Sequence, residues 1–263
     1  MTLREPAARA SGRRAPVLIT GGTAAARHLA LVVARAGWPV VYALAGATPR
    51  PNLPRHPDIT IHVGGFGGAE GLARWLRARG IGALLDATHP HARAMPERAL
   101  LAARRAGVVH ARFLPPAPEL PRNASITPLN SIARMAVLLP RDARAFAALG
   151  ARGVAELASR GDVWLTARML SPPAVPMPSR WRLVIGARGA PRATIAAEMA
   201  LLRATRARFL LARHSTGSRA MLRAAARLGL PVLLLARPAP PAGARQLTRT
   251  AEALEWLRDV CFS

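Results

Sequence analysis

The chain has 263 residues and is 51% hydrophobic, enough for one large α/β domain or two modest ones, so it is not a charged, coreless tail. No apolar run approaches the ~18 residues of a membrane span, and the lone cysteine, Cys261, excludes an intramolecular disulfide and a cysteine metal site. The net charge is +25 and all 38 basic residues are arginine. Their scatter along the whole length, without a basic block or aromatic stripe, argues against nucleic acid and leaves a small polyanion as the ligand such a field suits.

In chain order, Met1–Ala15 carries Arg4, Arg9, Arg13 and Arg14 but no apolar stretch. It reads as a disordered extension over residues 1–15 and not as a signal peptide, with cytoplasm the expected compartment. Strands are predicted at Val17–Thr20, Val40–Leu44, Thr60–Val63, Ala83–Asp86 and Val108–Arg112. Helices are predicted at Ala24–Ala36, from the glycine cluster to Arg79, and at Ala94–Ala106. Repeated βα units argue for a parallel sheet with helices on both faces. Leu114–Pro121 (LPPAPELP) continues neither element type and marks a linker over 114–124. Beyond it come a helix near Asn130–Leu139, strands at Ala143–Ala147, Val163–Met169 and Trp181–Ile185, and a helix at Thr194–Arg203. A strand at Arg208–Ala212, a helix at Arg219–Leu228, a strand at Val232–Ala236 and a tail helix at Ala251–Val260 follow. The expected fold is α/β: two doubly wound, Rossmann-like lobes with parallel sheets, 16–113 and 125–263, and a cleft between them.

Ligands of such sheets sit beyond the carboxyl ends of strands. Four loops there could carry chemistry. Gly21-Gly22-Thr23 opens a helix after the first strand and suits a pyrophosphate, although a tight turn explains the same residues. The second strand runs into Ala45-Gly46-Ala47 and Arg50 with no acid for a ribose hydroxyl, which favours NADP over NAD. Val63-Gly64-Gly65-Phe66-Gly67-Gly68 suggests close approach of a flat ligand, or a turn with a buried phenylalanine. In Asp86-Ala87-Thr88-His89-Pro90-His91, Asp86 and Thr88 could cap the next helix, while His89 and His91 could donate protons. No metal site is expected, since no cysteine or acidic partner segment lies near these histidines. Arg213-His214-Ser215-Thr216-Gly217 offers a carboxylate or phosphate cradle, or an ordinary helix cap.

Taken in order, Gly21-Gly22-Thr23 with Arg27, Leu44-Ala45-Gly46, Val63–Gly68 and Asp86–Pro90 closely resemble the precorrin-6A reductase family, whose segments read roughly GGTxEAR, SLAGR, VGGFGG and DATHPFA. The second lobe resembles it more loosely: Arg213–Gly217 stands where the family has a KNSGG-like turn. The resemblance implies hydride transfer from NADPH, or NADH, to precorrin-6A, giving precorrin-6B in cobalamin biosynthesis. It implies cofactor binding by Gly21, Gly22, Thr23, Arg27, Gly46, Gly64, Gly65, Phe66, Gly67 and Thr88 in a dinucleotide lobe; Arg50, in the Pro-flanked loop after the second strand, could reach a 2′-phosphate. The strand-to-helix turn of the second lobe assigns Arg213, His214, Ser215, Thr216 and Gly217 to a polycarboxylate tetrapyrrole, with His89 and Pro90 from the first lobe. An imidazole that titrates near working pH makes His214 the candidate proton donor, with His89 the alternative. Neither a membrane nor a nucleic acid is implied as a partner, and the chain would act as a monomer or homodimer. Ala25, Ala47, His91, Arg213 and His214 depart from the family pattern, so a degenerate, non-catalytic tetrapyrrole- or nucleotide-binding protein on the same fold is the alternative.

Overall fold

The structure, a computed structural model, describes residues 14–46, 52–169, 176–186 and 194–262. Arg50, Ala47 and the extension through Arg13 lie outside the described residues. The chain forms two units, residues 1–116 with 239–263, and residues 117–238.

The first unit is a six-stranded parallel sheet. Its strands are β1 (Val17–Thr20), β2 (Val40–Leu44), β3 (Ile59–Val63), β4 (Ala83–Asp86), β5 (Val109–Phe113) and β12 (Arg245–Leu247), in the order β12-β5-β4-β1-β2-β3. The central strand β1 is buried at every position, as expected of a strand covered on both faces. Its alternation divides the core. Val17 and Ile19 pack with α1 (Ala24–Arg35) and α8 (Thr250–Phe262) on one side. Leu18 packs with α2 (Gly68–Ala78) and α3 (Ala94–Ala106) on the other.

The second unit repeats the plan. Strands β6 (Ile126–Leu129), β7 (Arg144–Ala148), β8 (Trp164–Met169), β9 (Trp181–Ile185), β10 (Phe209–Arg213) and β11 (Val232–Leu235) run parallel in the order β6-β11-β10-β7-β8-β9. Helices α4 (Ile132–Leu138), α5 (Gly150–Ala155), α6 (Ile195–Ala204) and α7 (Arg219–Arg227) join them. Leu211 and Phe146 belong to separate clusters on opposite faces of this sheet.

The α/β class and the two parallel sheets match the expectation. The C-terminal segment does not: expected within the second lobe, it belongs to the first unit. There β12 pairs with β5, and Ala253, Trp256 and Leu257 of α8 enter the core around Leu29 and Trp38. The physical reason is that α8 carries an apolar stripe which the first sheet's α1 face needs for cover. Three described elements were unforeseen: β6 contains Pro128, α5 begins on Gly150, and β12 is only the polar triplet RQL.

Candidate functional site

Strand order locates the ligand crevices. In the first sheet the chain moves outward from β1 to β2 and β3, then returns to place β4 on the other side of β1. The second sheet does the same around β7, with β8 and β9 on one side and β10 on the other. The carboxyl ends of β1/β4 and of β7/β10 are therefore the switch points where doubly wound sheets bind ligands.

At the β1/β4 switch point the glycines divide by cause. Gly21 is required by the protein itself, because a Cβ there would lie 2.2 Å from the Tyr42 ring. Gly22 adopts φ +112° and donates its N–H to the Tyr42 hydroxyl at 3.0 Å. Tyr42 is 1% exposed, and burial pushes its phenol up from its ordinary range. Thr23 caps α1 by accepting the Ala26 N–H at 3.0 Å. One turn on, the Arg27 guanidinium donates to the Asn52 carbonyl at 3.4 Å, so it stands beside the segment that follows β2.

The β3–α2 loop is built differently. Phe66 stacks on His62 with ring centroids 4.7 Å apart and meets the edge of Trp75 at 5.1 Å. One face of Phe66 is thus occupied by the protein, as in the buried-phenylalanine reading. Gly71 lies under the same turn: a Cβ there would collide with the Phe66 carbonyl. Gly67 caps α2 in the left-handed region. Gly65 has neither constraint, with no positive φ and nothing within 4 Å of a Cβ built on it. The protein's own packing does not ask for a glycine there, and a ligand's approach would.

Asp86 does not cap the next helix, whose N-cap is Arg93. Instead its wholly buried carboxylate accepts from the Thr20 hydroxyl at 2.7 Å, from the Thr88 hydroxyl at 2.7 Å and from the Thr88 N–H at 3.1 Å. Its second oxygen pairs with Arg112 of β5, itself 2% exposed. Arg112 also donates to Thr88 Oγ1 at 3.0 Å and to the His89 carbonyl at 3.4 Å. Two strands thereby fix the loop that presents His89. The His91 N–H is directed at His89 Nδ1, 3.2 Å away, which leaves the proton of neutral His89 on Nε2.

At the β7/β10 switch point, Arg213 turns back over the β7–α5 loop. A Cβ on Gly153 would lie 3.2 Å from its guanidinium and one on Gly150 3.8 Å. Its Nε is buried without a hydrogen-bond partner. Among the described residues no carboxylate lies within ion-pair distance, and burial lowers its pKa despite the attraction of Glu156. His214 places Nε2 2.9 Å from the Pro118 carbonyl, while its own carbonyl accepts from Arg237 Nε at 3.0 Å. Ser215 caps a short turn, Thr216–Ser218, leading into α7, so the ordinary cap exists there. Gly217, like Gly65, is demanded by neither conformation nor packing.

Sequence reasoning overlooked Tyr42, Arg112, Gly150 and Gly153. The only tyrosine of the chain, one strand from the glycine loop, was a signal available beforehand. Arg112 gave none, since an arginine near a strand end ordinarily reads as exposed.

Two doubly wound parallel sheets, with glycine loops at the carboxyl end of one and a partly buried arginine without an ion pair at that of the other, define a Rossmann-like α/β protein with a ligand crevice at each switch point. Residues 16–258 match the family described as Precorrin-6x reductase CbiJ/CobK. The precorrin-6A reductase of Rhodococcus erythropolis is 37% identical over 244 residues, covering 92% of this chain and 96% of its own. That of Mycobacterium tuberculosis is 36% identical over 246 residues with the same coverage. A solved structure, CobK precorrin-6A reductase, aligns with a TM-score of 0.83 and 32% identity over 94% of this chain and 97% of that one. The chain belongs to the precorrin-6x reductase family, oxidoreductases that act on a corrin precursor in cobalamin biosynthesis.

Proposed function

We propose that this chain reduces precorrin-6A with NADPH, holding the dinucleotide at the β1/β4 switch point and a carboxylate arm of the tetrapyrrole at Arg213. Reduced nicotinamide supplies the hydride; the protein supplies orientation and electrostatics. The donor set fits such a cofactor: a glycine-lined helix start, an open surface over Gly65, and no acid after β2 to repel a 2′-phosphate. Arg27 supports NADPH over NADH, because its guanidinium stands where the segment after β2 passes α1. Arg50, the other candidate for that phosphate, is kept as a second partner.

The observation that carries the substrate assignment is the Arg213 guanidinium, partly buried and without a carboxylate. Such a group is costly unless something pairs with it, and a precorrin's ionised acetate and propionate arms are suitable partners. His89 serves as the proton donor in this reading. His214, whose Nε2 is engaged by the Pro118 carbonyl, holds the incoming segment in place. Reaction in the cytoplasm follows from this biosynthetic role, and no described helix is long and apolar enough to cross a membrane.

The test is incubation of purified protein with precorrin-6A and each reduced nicotinamide, following cofactor oxidation. Turnover with NADPH at higher kcat/KM than with NADH is expected. No turnover with either cofactor would favour the degenerate, non-catalytic reading.

A further inference from the structure

The second unit carries a cavity of about 380 Å³ at the end of its sheet opposite Arg213. It is lined by Arg144 at the start of β7, Arg203 in the last turn of α6, Arg206 in the following turn and Arg208 just before β10, above an apolar wall that includes Leu202 and Leu230. Arg208 and Arg213 bracket the five-residue strand β10, which separates this cavity from the switch point by roughly 17 Å. The size falls within the ~300–1,000 Å³ typical of small-ligand pockets.

Convergence on one depression sets these four arginines apart from the general excess of charge. Several acids pair elsewhere: Glu70 with Arg74 and Arg105, Asp86 with Arg112, Asp142 with Arg180, Asp162 with Arg160, and Glu198 with Arg168. Among the described residues, none of the four cavity arginines has a carboxylate within ion-pair distance. Helix-dipole complementation accounts for Arg203 in the last turn of α6, and Arg144 lies over the Trp164 ring, 5.3 Å from its centroid; neither reason covers Arg206 or Arg208. Arg206, at φ +51°, is the left-handed residue that closes α6: its N–H donates to the Arg203 carbonyl at 2.9 Å and the Ala207 N–H to the Leu202 carbonyl at 3.1 Å, which fixes Arg206 at the rim.

We infer that this cavity is a second anion site, distinct from the switch points, that binds a small polyanion bearing several carboxylates or phosphates. Four guanidiniums without counter-charges repel one another, and a multivalent anion relieves that repulsion through bidentate, charge-assisted hydrogen bonds.

Calorimetry on the full chain at about 0.15 M salt, the physiological ionic strength, tests this with two probes, benzene-1,2,4,5-tetracarboxylate and inorganic tripolyphosphate. Saturable binding of at least one is expected, and the tighter probe identifies carboxylate or phosphate as the native chemistry. The double variant Arg203→Gln/Arg208→Gln should weaken it about tenfold or more, which is about 1.4 kcal/mol. Arg213→Gln should leave unchanged the binding that this double variant removes, whatever it does to a second, weaker event at the switch point. So should the control pair Arg98→Gln/Arg258→Gln, exposed arginines of the first unit. Arg206→Gly separates binding from folding, since it should weaken the probe while leaving Tm equal or higher. No saturable binding, equal loss in the control pair, or loss of that binding with Arg213→Gln would each overturn the site. Reductase turnover is not among the readouts, so the result stands apart from the function proposed above.

Discussion

Arg112 on β5 and Asp86 on β4 form an ion pair from which water is excluded, and the same guanidinium reaches the Thr88 hydroxyl and the His89 carbonyl. Removing one partner strands the other charge in the core. Arg112→Met and Asp86→Leu should each cost about 3–5 kcal/mol, and the double variant should recover much of that loss. Urea unfolding of the two single variants and the double variant checks it. Additive losses would mean that the pair is not the support of the His89 loop.

Gly21 and Gly22 should fail in different ways. Gly21→Ala drives a methyl into the Tyr42 ring, so it should be strongly destabilised, by about 1–3 kcal/mol or more as overpacking. Tyr42→Leu in the same chain should rescue part of that. Tyr42→Phe keeps the ring but removes the acceptor of the Gly22 N–H, and should cost about 1–3 kcal/mol. Thermal unfolding of the three variants reads both effects.

The sheets were legible because parallel strands buried on both faces leave unbroken apolar runs such as VLIT and VLLL. Short or polar strands leave none, so β12 and its place beside β5 were invisible until α8 was seen in the first core. The site was half legible for a related reason. Glycine loops after strands are written locally, as Gly21-Gly22 and Gly64-Gly65 show. What each glycine is for depends on neighbours distant in sequence: Tyr42 beside Gly21, nothing beside Gly65. The assignment of Asp86 as a helix cap failed because its partners, Thr20 and Arg112, come from other strands.

His110 on β5 has both ring nitrogens buried without hydrogen-bond partners, and burial pulls its pKa below the ordinary 6.5, an effect that outweighs the attraction of Asp86. His62, stacked on Phe66, is shifted the same way, again chiefly by burial. A histidine whose folded pKa is depressed takes up a proton more readily when unfolded. Its contribution is therefore fully present above pH 6.5 and declines as pH falls below that value. Tm measured from pH 7.5 to 5 should drop, and His110→Phe should flatten part of the slope. An unchanged slope would show that His110 does not couple folding to protons.

Arg213 is the residue at which stability and function should move in opposite directions. Its guanidinium lies against Gly150 and Gly153 with Nε unpartnered, so the folded state carries a desolvation cost that the attraction of Glu156 offsets only in part. Arg213→Met keeps the length and apolar stem while removing the charge, and should raise stability by about 0.5–2 kcal/mol. If a tetrapyrrole carboxylate is its partner, the same change removes a charge-assisted contact of about 1.5–3 kcal/mol. At 1.36 kcal/mol per decade, kcat/KM for precorrin-6A should then fall roughly ten- to a hundredfold. Dinucleotide affinity should be unchanged, because the glycine loops belong to the other unit. A Gly153→Ala variant should lower kcat/KM more weakly, by crowding the guanidinium from 3.2 Å away, and should lose stability, because the added methyl also meets Leu149 at 2.9 Å and Ile132 at 3.0 Å. Urea unfolding and steady-state kinetics on the same preparations separate the cases. A variant that is less stable and equally active would make Arg213 a structural support and move the carboxylate site elsewhere in the second unit.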